Sequence, residues 1–375
     1  MKKRKVNALL AIGLFLTMMV GIAGCGKERQ LAAEIDPDTP VSEVQFPLKE
    51  TAELSFITSA PATSTQEPNE RVIFQRMEEQ TNVHIDWTCF VSDQFSDKKN
   101  LALAQFGNLP DGLFNAGMSE YDLLRYAKQG IIIPLENLID KYMPNLQAVF
   151  EKYPEYRTMC TAPDGMRNIT RQNNSETSGF DRGRCVLTSS CRDTALAAAW
   201  IDQMYAPLQS PQNNWGTYGE KDSFNIFELS RNKDGGEMLK HMDLGTQSPV
   251  EVREAQSVNG PLAVLNEYYD VYVTQPEDAK WRLDNMHETY LQDMNSKYVY
   301  PNVFMSIEDT NKVSQYDTDI RKYAEQKKAD WILNGGIEKE WDSYLKKMEQ
   351  YGLSDYLSIK QKYFDQYQKS LSEEK

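Results

Sequence analysis

The sequence predicts an α/β fold built around a parallel sheet, followed by a long helical segment at the C-terminus. Between residues 53 and 153, strand-like and helix-like patterns alternate repeatedly. This alternation indicates βαβ units rather than a helical bundle or a β-sandwich. After residue 308 only helical periodicity remains. The chain has 375 residues, of which 40% are apolar and 11% aromatic, enough for a globular core.

The N-terminus predicts an export signal with a lipid attachment site. Residues 1–24 begin with the basic run MKKRK, continue with an apolar segment and end in small residues. The sequence IAGC at residues 22–25 resembles a bacterial lipobox, in which the cysteine, here Cys25, is lipidated and becomes the mature N-terminus. The alternative is an ordinary signal peptide with a chance cysteine. Acyl chains such as palmitate would anchor the protein at the cell membrane, on its extracellular face.

Residues 25–52 are polar, contain proline and show no periodicity, so they predict a tether between the lipid and the folded body. The formal net charge of the chain is −14. Nucleic acid is therefore an unfavourable partner, because phosphate binding needs clustered Lys and Arg.

The remaining cysteines and the histidines predict neither a metal site nor a cofactor. Four cysteines follow Cys25, at positions 89, 160, 185 and 191, and none of the three histidines lies near a cysteine pair. A zinc site needs closely spaced ligands. A disulfide between Cys185 and Cys191 and four buried free thiols are both compatible with this pattern.

The first strand is predicted at ELSFITS, from Glu53 to Ser59, and NERVIFQRMEEQTN after it has helical spacing. VHIDWTCFV alternates as a strand does, KKNLALAQFGN predicts a helix, and LPDGLFNAG predicts a short buried strand. In SEYDLLRYAKQG, Ser119 is the predicted N-cap and Gly130 the residue that ends the helix. IIIPLENLIDKYMPNLQAVFEKY predicts a further strand and helical turns.

Two strand ends supply the residues expected to line a pocket. Parallel sheets bind ligands at the carboxyl ends of their strands. Here these ends are TSAPATSTQ (Thr58–Gln66) and NAGMS (Asn115–Ser119), both rich in small polar residues. Ordinary strand-to-helix turns are the alternative interpretation. Asp111, at the start of its strand, is interpreted as structural.

The second half of the chain opens with a stretch that has no periodicity. TAPDGMRNITRQNNSETSGFDRGR, residues 161–184, shows neither a helical stripe nor an alternating strand. RCVLTSSCRD after it predicts a strand and a turn, and the Ala-rich helix that follows is expected to be capped near Asp193. The apolar stripes of the C-terminal helices are most simply packing surfaces.

The chain resembles the extracellular solute-binding proteins of bacterial ABC importers, and most of all the LipO-like carbohydrate-binding lipoproteins. The resemblance rests on the lipobox, on LPDGLFNAG with YDLLRYAKQGIIIPLENLIDKYMPN, on TAPDG, on TSSCRDTALAAAWIDQMY, on NNWGTYG and YPNVF, and on the C-terminal block NGGIEKEWDSYLKKMEQYGLSDYLSIKQKYFDQY. It implies a periplasmic-binding-protein-like fold of type II, in which two α/β lobes grip a sugar between them.

The resemblance also accounts for residues 161–184, the stretch without periodicity. In this family TAPDG leads into lobe two, whereas here the chain passes almost at once to residues that resemble the return to lobe one. Lobe one is therefore expected to be largely intact, and most of lobe two to be missing through an internal deletion. The implied divisions are a signal peptide (1–24), a tether (25–52), the first part of lobe one (53–165), a seam or loop (166–182), the return segment of lobe one (183–240), and a hinge region with the C-terminal helices of lobe two (241–375).

The family's mode of binding implies the ligand residues. Hydrogen bonds from lobe one would come from Ser59, Thr63, Asn115 and Ser119. The aromatic candidates are Trp215 and Tyr218, with a packing role at the hinge as the alternative for Trp215. The implied partners are a carbohydrate and the membrane-embedded ABC permease.

Three functions follow from the sequence. The first is a lipid-anchored receptor that binds an oligosaccharide for import. The second is a deletion product of such a receptor that is non-binding or repurposed. The third, an enzyme such as a glycosidase, is disfavoured, because the sequence contains no nucleophile elbow, zinc signature or phosphate loop.

Overall fold

In the computed structural model, the described residues are 44–62, 66–105, 108–163, 169–173, 180–221, 224–231, 235–258, 260, 262–264, 269–270, 279–289 and 300–373. The predicted signal peptide, Cys25 and Thr63 lie outside them.

A six-stranded sheet forms the centre of the structure. Its strands are β1 (Ala52–Ala60), β2 (Val83–Val91), β3 (Gly112–Phe114), β4 (Ile169–Asn173), β5 (Phe180–Leu187) and β8 (Leu262–Val264), in the spatial order β2-β1-β3-β5-β4-β8. The β1–β2, β1–β3 and β4–β8 pairs are parallel, whereas β5 runs antiparallel to both of its neighbours. The sheet is thus parallel, as expected, with one reversed strand that periodicity could not reveal.

Helices cover the sheet and extend the chain beyond it. They are α1 (Val72–Thr81), α2 (Ser92–Ala104), α3 (Glu120–Lys128), α4 (Glu136–Tyr142), α5 (Pro144–Lys152), α6 (Pro154–Cys160), α7 (Thr194–Asp202), α8 (Gln209–Trp215), α9 (Pro249–Gln256), α10 (Ala279–Thr289), α11 (Ile307–Asn334), α12 (Ile337–Gln350) and α13 (Leu353–Glu373). Short 3₁₀ turns lie at Pro68–Glu70 and Gln203–Tyr205. In the part of the chain that the structure describes, no helix is both long and apolar enough to cross a membrane.

The helix caps read from the sequence are present. The hydroxyl of Ser119 accepts a hydrogen bond from the Asp122 amide at 3.1 Å, and Gly130 ends α3 with a φ of +65°. The carboxylate of Asp193 accepts a hydrogen bond from the Leu196 amide at 2.9 Å, at the start of α7. Both caps satisfy amide donors that the first helical turn leaves unpaired.

Two expectations about strands were wrong. Residues 169–173, inside the segment expected to be a loop, form β4 and pair on one side with β5 and on the other with β8. The strand expected at IIIPL is reduced to a single bridge between Ile132 and Thr188. Backbone pairing on two sides makes β4 a strand, although its sequence ITRQN shows no clear alternation of apolar and polar residues.

An aromatic cluster packs against one face of the sheet. It contains Phe56, Phe74, Trp87, Phe114 and Trp200, with ring centroids 4.9–6.4 Å apart. Edge-to-face and tilted pairs of this kind add to the stabilisation that burial provides. The rings come from β1, α1, β2, β3 and α7, so the cluster joins segments that are far apart in the chain.

A smaller three-stranded sheet lies apart from the main one. It is formed by β6 (Phe227–Arg231), β7 (Glu237–His241) and β9 (Tyr269–Asp270), in the order β6-β7-β9. Its own apolar cluster includes Ile226, Phe227, Leu239, Leu244 and Val252, with Trp215 and Tyr218 packed against it.

The last three helices are mostly solvent-exposed. Along α11, α12 and α13 the buried residues are Val313, Ile320, Met348 and Tyr363. The α11–α12 turn contains Gly335 and Gly336, both at positive φ.

The described cysteines are free thiols. Cys160, Cys185 and Cys191 are buried, and Cys89 is half-buried. Of the two sequence-based alternatives, free thiols are confirmed and the Cys185–Cys191 disulfide is absent. The pKa of Cys191 is raised to about 12 by burial and by Asp111, through its negative charge and through a hydrogen bond that its carboxylate accepts from the thiol.

Candidate functional site

The carboxyl ends of β1 and β3 border a small cleft. The strands are paired at Phe56–Gly112 and Ile57–Leu113, so the last residues of β1 extend beyond this pairing toward the sheet edge. The cleft, called the edge cleft below, is lined by Thr58, Ser59, Arg71, Phe74, Phe114 and Ser257, among others. Its walls therefore combine hydroxyl groups, a guanidinium group and aromatic rings, a mixture suited to a polar ligand with an apolar face.

Arg71 connects the two sides of the edge cleft. Its Nη1 donates hydrogen bonds to the carbonyl oxygens of Glu254, Ala255 and Ser257, at 3.1, 2.9 and 3.1 Å. These carbonyls belong to the C-terminal end of α9, where a cation also interacts favourably with the helix dipole. Arg71 thereby holds the start of α1 against the chain that returns after α9. Burial lowers the pKa of Arg71.

The floor of the edge cleft is apolar. Phe74 and Phe114 lie at its base, with their ring centroids 5.8 Å apart in an edge-to-face arrangement. The backbone at Gly260 passes so close that a β-carbon there would lie 2.2 Å from the Phe114 ring. Glycine is thus the residue that lets the chain cross this ring.

The structure places the predicted lobe-one residues in different environments. Ser59 is half-buried and lines the edge cleft. Asn115 has a φ of +53°, and its side-chain oxygen accepts a hydrogen bond from Arg184 Nη1 at 3.0 Å. The Ser119 hydroxyl is engaged with Asp122 as an N-cap and donates to its carboxylate at 2.8 Å. Thr63 lies outside the described residues.

A partly buried ion pair supports the chain next to Ser119. Arg182, on β5, donates from Nη1 to Glu120 at 2.6 Å and to the Asn302 side chain at 2.9 Å, and from Nε to the Met159 carbonyl at 2.7 Å. Burial lowers the pKa of Arg182 and raises the pKa of Glu120, while the pair's mutual attraction opposes both shifts. The pair therefore fixes α3 to β5 and to the segment that precedes α11.

The predicted aromatic residues are not part of the edge cleft. The Arg253 guanidinium lies 4.4 Å from the centre of the Trp215 ring and covers one of its faces. Trp215 also packs against the cluster of the small sheet, as the alternative packing interpretation has it. Tyr218 lines a second cleft together with Arg76, Gln212 and Glu220.

The second cleft is organised by Arg76. This side chain donates to Gln212 Oε1 at 2.6 Å and to the Tyr218 carbonyl at 3.0 Å, and it forms an ion pair with Glu220. Its charge is thereby neutralised by protein groups. The arrangement joins α1 to the loop that follows α8.

The residue interpreted as structural has that role. Asp111 Oδ2 accepts hydrogen bonds from the Ser55 amide and the Ser55 hydroxyl, both at 2.8 Å. The Asp111 amide in turn donates to the Ser55 hydroxyl at 3.0 Å. The three hydrogen bonds fasten the start of β3 to β1.

Sequence reasoning did not identify Arg71, Phe74, Phe114 or Ser257 as cleft residues. Arg71 bonds to carbonyls 183–186 positions away, so no local pattern marks it. Phe74 and Phe114 have the pattern of core residues, and they are core residues that also reach the cleft. Within the described residues, no group of three or more His, Cys, Asp or Glu side chains could hold a metal ion.

Comparisons with known proteins agree with this architecture. No family model matches the chain. It is 32% identical to the fructooligosaccharide ABC transporter substrate-binding protein FusA of Streptococcus pneumoniae serotype 4, over 95% of this chain and 97% of that protein. The structure of the S. pneumoniae FusA EF-hand mutant in complex with fructo-nystose superposes with a TM-score of 0.66 at 32% identity, over 84% of this chain and 99% of that chain.

A more distant structure shares the fold. The HMO-binding, ABC-transporter-associated solute-binding protein from Bifidobacterium longum infantis gives a TM-score of 0.64 at 14% identity, over 84% of this chain and 99% of that chain. A mostly parallel sheet with a cleft at its strand ends, together with these neighbours, defines a solute-binding protein of the type II periplasmic class. The chain belongs to the family of ABC transporter substrate-binding proteins.

The chain is shorter than its relative. The alignment with FusA extends over 531 positions, whereas this chain has 375 residues, so many positions of the alignment have no counterpart here. This is consistent with the predicted internal deletion. The matched relatives are solute-binding proteins rather than enzymes. Proteins of this family work outside the cytoplasmic membrane with ABC permeases.

Proposed function

We propose that this chain is an oligosaccharide-binding component of an ABC importer, held at the cell membrane by a lipid on Cys25, and that the edge cleft is the lobe-one half of its sugar site. The observation that carries the proposal is the position of the edge cleft at the carboxyl ends of β1 and β3, where sheets of this kind bind ligands. The name of the 32% identical relative supplies the ligand class, a fructooligosaccharide.

The chemistry of the cleft suits a sugar. The Ser59 hydroxyl can donate hydrogen bonds to sugar hydroxyls and accept hydrogen bonds from them. Thr58, the preceding residue of β1, also lines the cleft and carries a second hydroxyl. Phe74 supplies an apolar surface for the C–H groups of a sugar ring. No part of this function calls for a catalytic residue or a cofactor.

Binding by the chain alone is expected to be weak, with a dissociation constant of about 1 mM, because one lobe supplies only part of the contacts. NMR titration with kestose, the ligand in one of the FusA structures, is suited to this range. We expect saturable shifts confined to the edge cleft and none with a maltooligosaccharide of equal length.

Variants make the test specific to the site. Ser59→Ala removes one hydroxyl and should weaken kestose binding about fivefold, the effect of losing one hydrogen bond. Ser314→Ala, on the exposed face of α11, is the matched control and should leave binding unchanged. If kestose causes no shift at 10-fold above the expected constant, about 10 mM, the chain is the non-binding deletion product and the proposal fails.

The lipid anchor is tested separately. The wild-type protein should partition into the detergent phase and the membrane fraction, since two acyl chains suffice for stable anchoring. Cys25→Ala should release it or leave it unprocessed. A Cys25→Ala protein that stays on the membrane at wild-type level would contradict lipidation at this residue.

A further inference from the structure

Helix α12 presents an uncovered apolar stripe. Ile337, Trp341 and Leu345 are spaced four residues apart, so they lie on one face of the helix. Their exposed fractions are 41%, 46% and 40%. Just before the α11–α12 turn, Ile332 and Leu333 are 75% and 81% exposed. Contiguous apolar surfaces of this kind mark interaction sites in soluble proteins.

Aromatic contacts between α11 and α12 support the stripe. The Tyr344 ring stacks on Trp341 with centroids 5.4 Å apart and on Tyr323 of α11 at 5.5 Å. Trp331 meets Tyr344 edge-to-face at 5.0 Å. The Trp341 ring is therefore oriented by α11 and α12 themselves, and a partner would meet a preformed surface.

Charged residues of opposite sign flank the stripe. Asp342 and Lys346 follow Trp341 and Leu345 directly in sequence, both are exposed, and neither forms an ion pair within the described residues. Their neighbours Glu340 and Lys347 are already engaged, Glu340 with Lys327 at 2.7 Å and Lys347 over the Tyr351 ring. Asp342 and Lys346 are thus available to a partner and carry opposite charges, and Glu338 and Lys339 near the start of α12 are exposed as well.

We propose that this face of α12 binds the same face of a second copy of the chain, with the two helices antiparallel about a twofold axis. In this arrangement Trp341 of each copy packs against Leu345 of the other, and Asp342 of each copy faces Lys346 of the other. A twofold axis repeats every contact, so one complementary pair per chain produces two across the interface.

Charge complementarity selects this partner and this direction. Two copies, each with a net charge of −14, repel one another in general, so association requires a surface where opposite charges meet. In the parallel arrangement the twofold axis runs along the helices and places Asp342 and Lys346 of the two copies on opposite flanks of the interface, where they cannot pair. Because the stripe is exposed, no described segment of the chain covers it. The chain is also shorter than its relative, so it has fewer residues with which to cover this surface.

Sedimentation equilibrium of the full chain tests the proposal. We expect a monomer–dimer equilibrium without larger species. Asp342→Lys alone and Lys346→Asp alone should each weaken dimerisation at least tenfold, because like charges then face each other. An equimolar mixture of the two variants should recover the wild-type constant as a heterodimer, and so should the double variant. All these positions are exposed, so the far-UV circular dichroism should be unchanged.

The apolar contact has its own control. Leu345→Ser should reduce dimerisation at least tenfold, whereas Leu357→Ser, at a position on α13 that is 54% exposed, should leave it unchanged. A wild-type chain that sediments as a monomer at all concentrations overturns the proposal. So does a dimer that Leu345→Ser leaves intact, or a mixture of the charge variants that is no tighter than either variant alone.

Discussion

At the scale of single residues, Asp202 is a buried carboxyl group at the end of α7 that caps the N-terminus of another helix, α5. Its Oδ1 accepts a hydrogen bond from the Leu146 amide at 2.9 Å, and its Oδ2 accepts from the amide and the side chain of Asn145 at 3.0 and 2.8 Å. These hydrogen bonds satisfy two backbone amide groups in the first turn of α5, which have no partner within the helix. Burial nevertheless outweighs them and raises the pKa of Asp202 from 3.8 to about 6.

The raised pKa predicts a pH dependence of stability. Between about pH 4 and pH 6 the folded chain holds this proton more tightly than the unfolded chain does. The contribution is therefore fully present below about pH 4 and is lost as the pH rises through 6, by about 3 kcal/mol at most. Asp202→Asn removes the titrating group, so urea denaturation between pH 4 and pH 7 should show a flatter profile than the wild type. Exposed Asp319→Asn is the control, and an unchanged slope in Asp202→Asn would contradict the assignment.

A second residue-scale prediction concerns Asp111. Asp111→Ala leaves the Ser55 amide without its acceptor in a partly buried position, which costs about 1–3 kcal/mol of the free energy of unfolding. Asp111→Asn keeps an acceptor oxygen and should lose less. Urea denaturation measures both variants. Equal losses in the two would show that the charge, and not the hydrogen bond, is what matters at this position.

At the scale of elements, the sequence predicted what local signals specify. Strands β1, β2 and β3 and the caps at Ser119 and Asp193 depend on residues within a few positions of each other, and they are present. Strand β4 was missed because its partners, β5 and β8, are distant in sequence and decide its conformation. The reversed direction of β5 has the same non-local origin.

The candidate site was predicted less completely than the fold. The rule that ligands bind at strand ends led to Ser59, but Arg71 reaches the cleft through contacts with α9, far along the chain. From the sequence, Trp215 was expected to stack on a sugar, because it lies beside a glycine in an aromatic segment. Its partner Arg253 is 38 positions later, and only the structure shows that it covers the ring.

The element-scale prediction concerns the C-terminal helices. Residues 310–373 bury few side chains, whereas β3 is buried throughout and lies between β1 and β5. Local opening requires less free energy where few apolar contacts are lost. Hydrogen exchange followed by mass spectrometry should therefore show strong protection in LPDGLF and weak protection in 310–373. Equal protection of both regions would contradict this, and if protection of α12 rises with protein concentration, dimerisation is contributing.

At the scale of the whole molecule, the difference in length from the relative determines how much binding remains. A two-lobed receptor that binds its sugar at micromolar concentration gains about 8 kcal/mol. If the missing residues supplied half of the contacts, about 4 kcal/mol remains, which corresponds to a millimolar constant. Closure of a second lobe would also exclude water from the cleft and strengthen its hydrogen bonds.

Restoring the missing part should therefore restore affinity. Insertion of the additional segment of a full-length relative between Gly165 and Met166, within the stretch outside the described residues, should lower the dissociation constant for kestose from millimolar to micromolar. Calorimetry on the two proteins measures the change, and a flexible Gly/Ser insert of equal length at the same point is the matched control, which should remain millimolar. A micromolar constant for the 375-residue chain itself would contradict the missing-lobe interpretation. It would instead make residues 161–184, with β4 at their centre, a working part of the binding site.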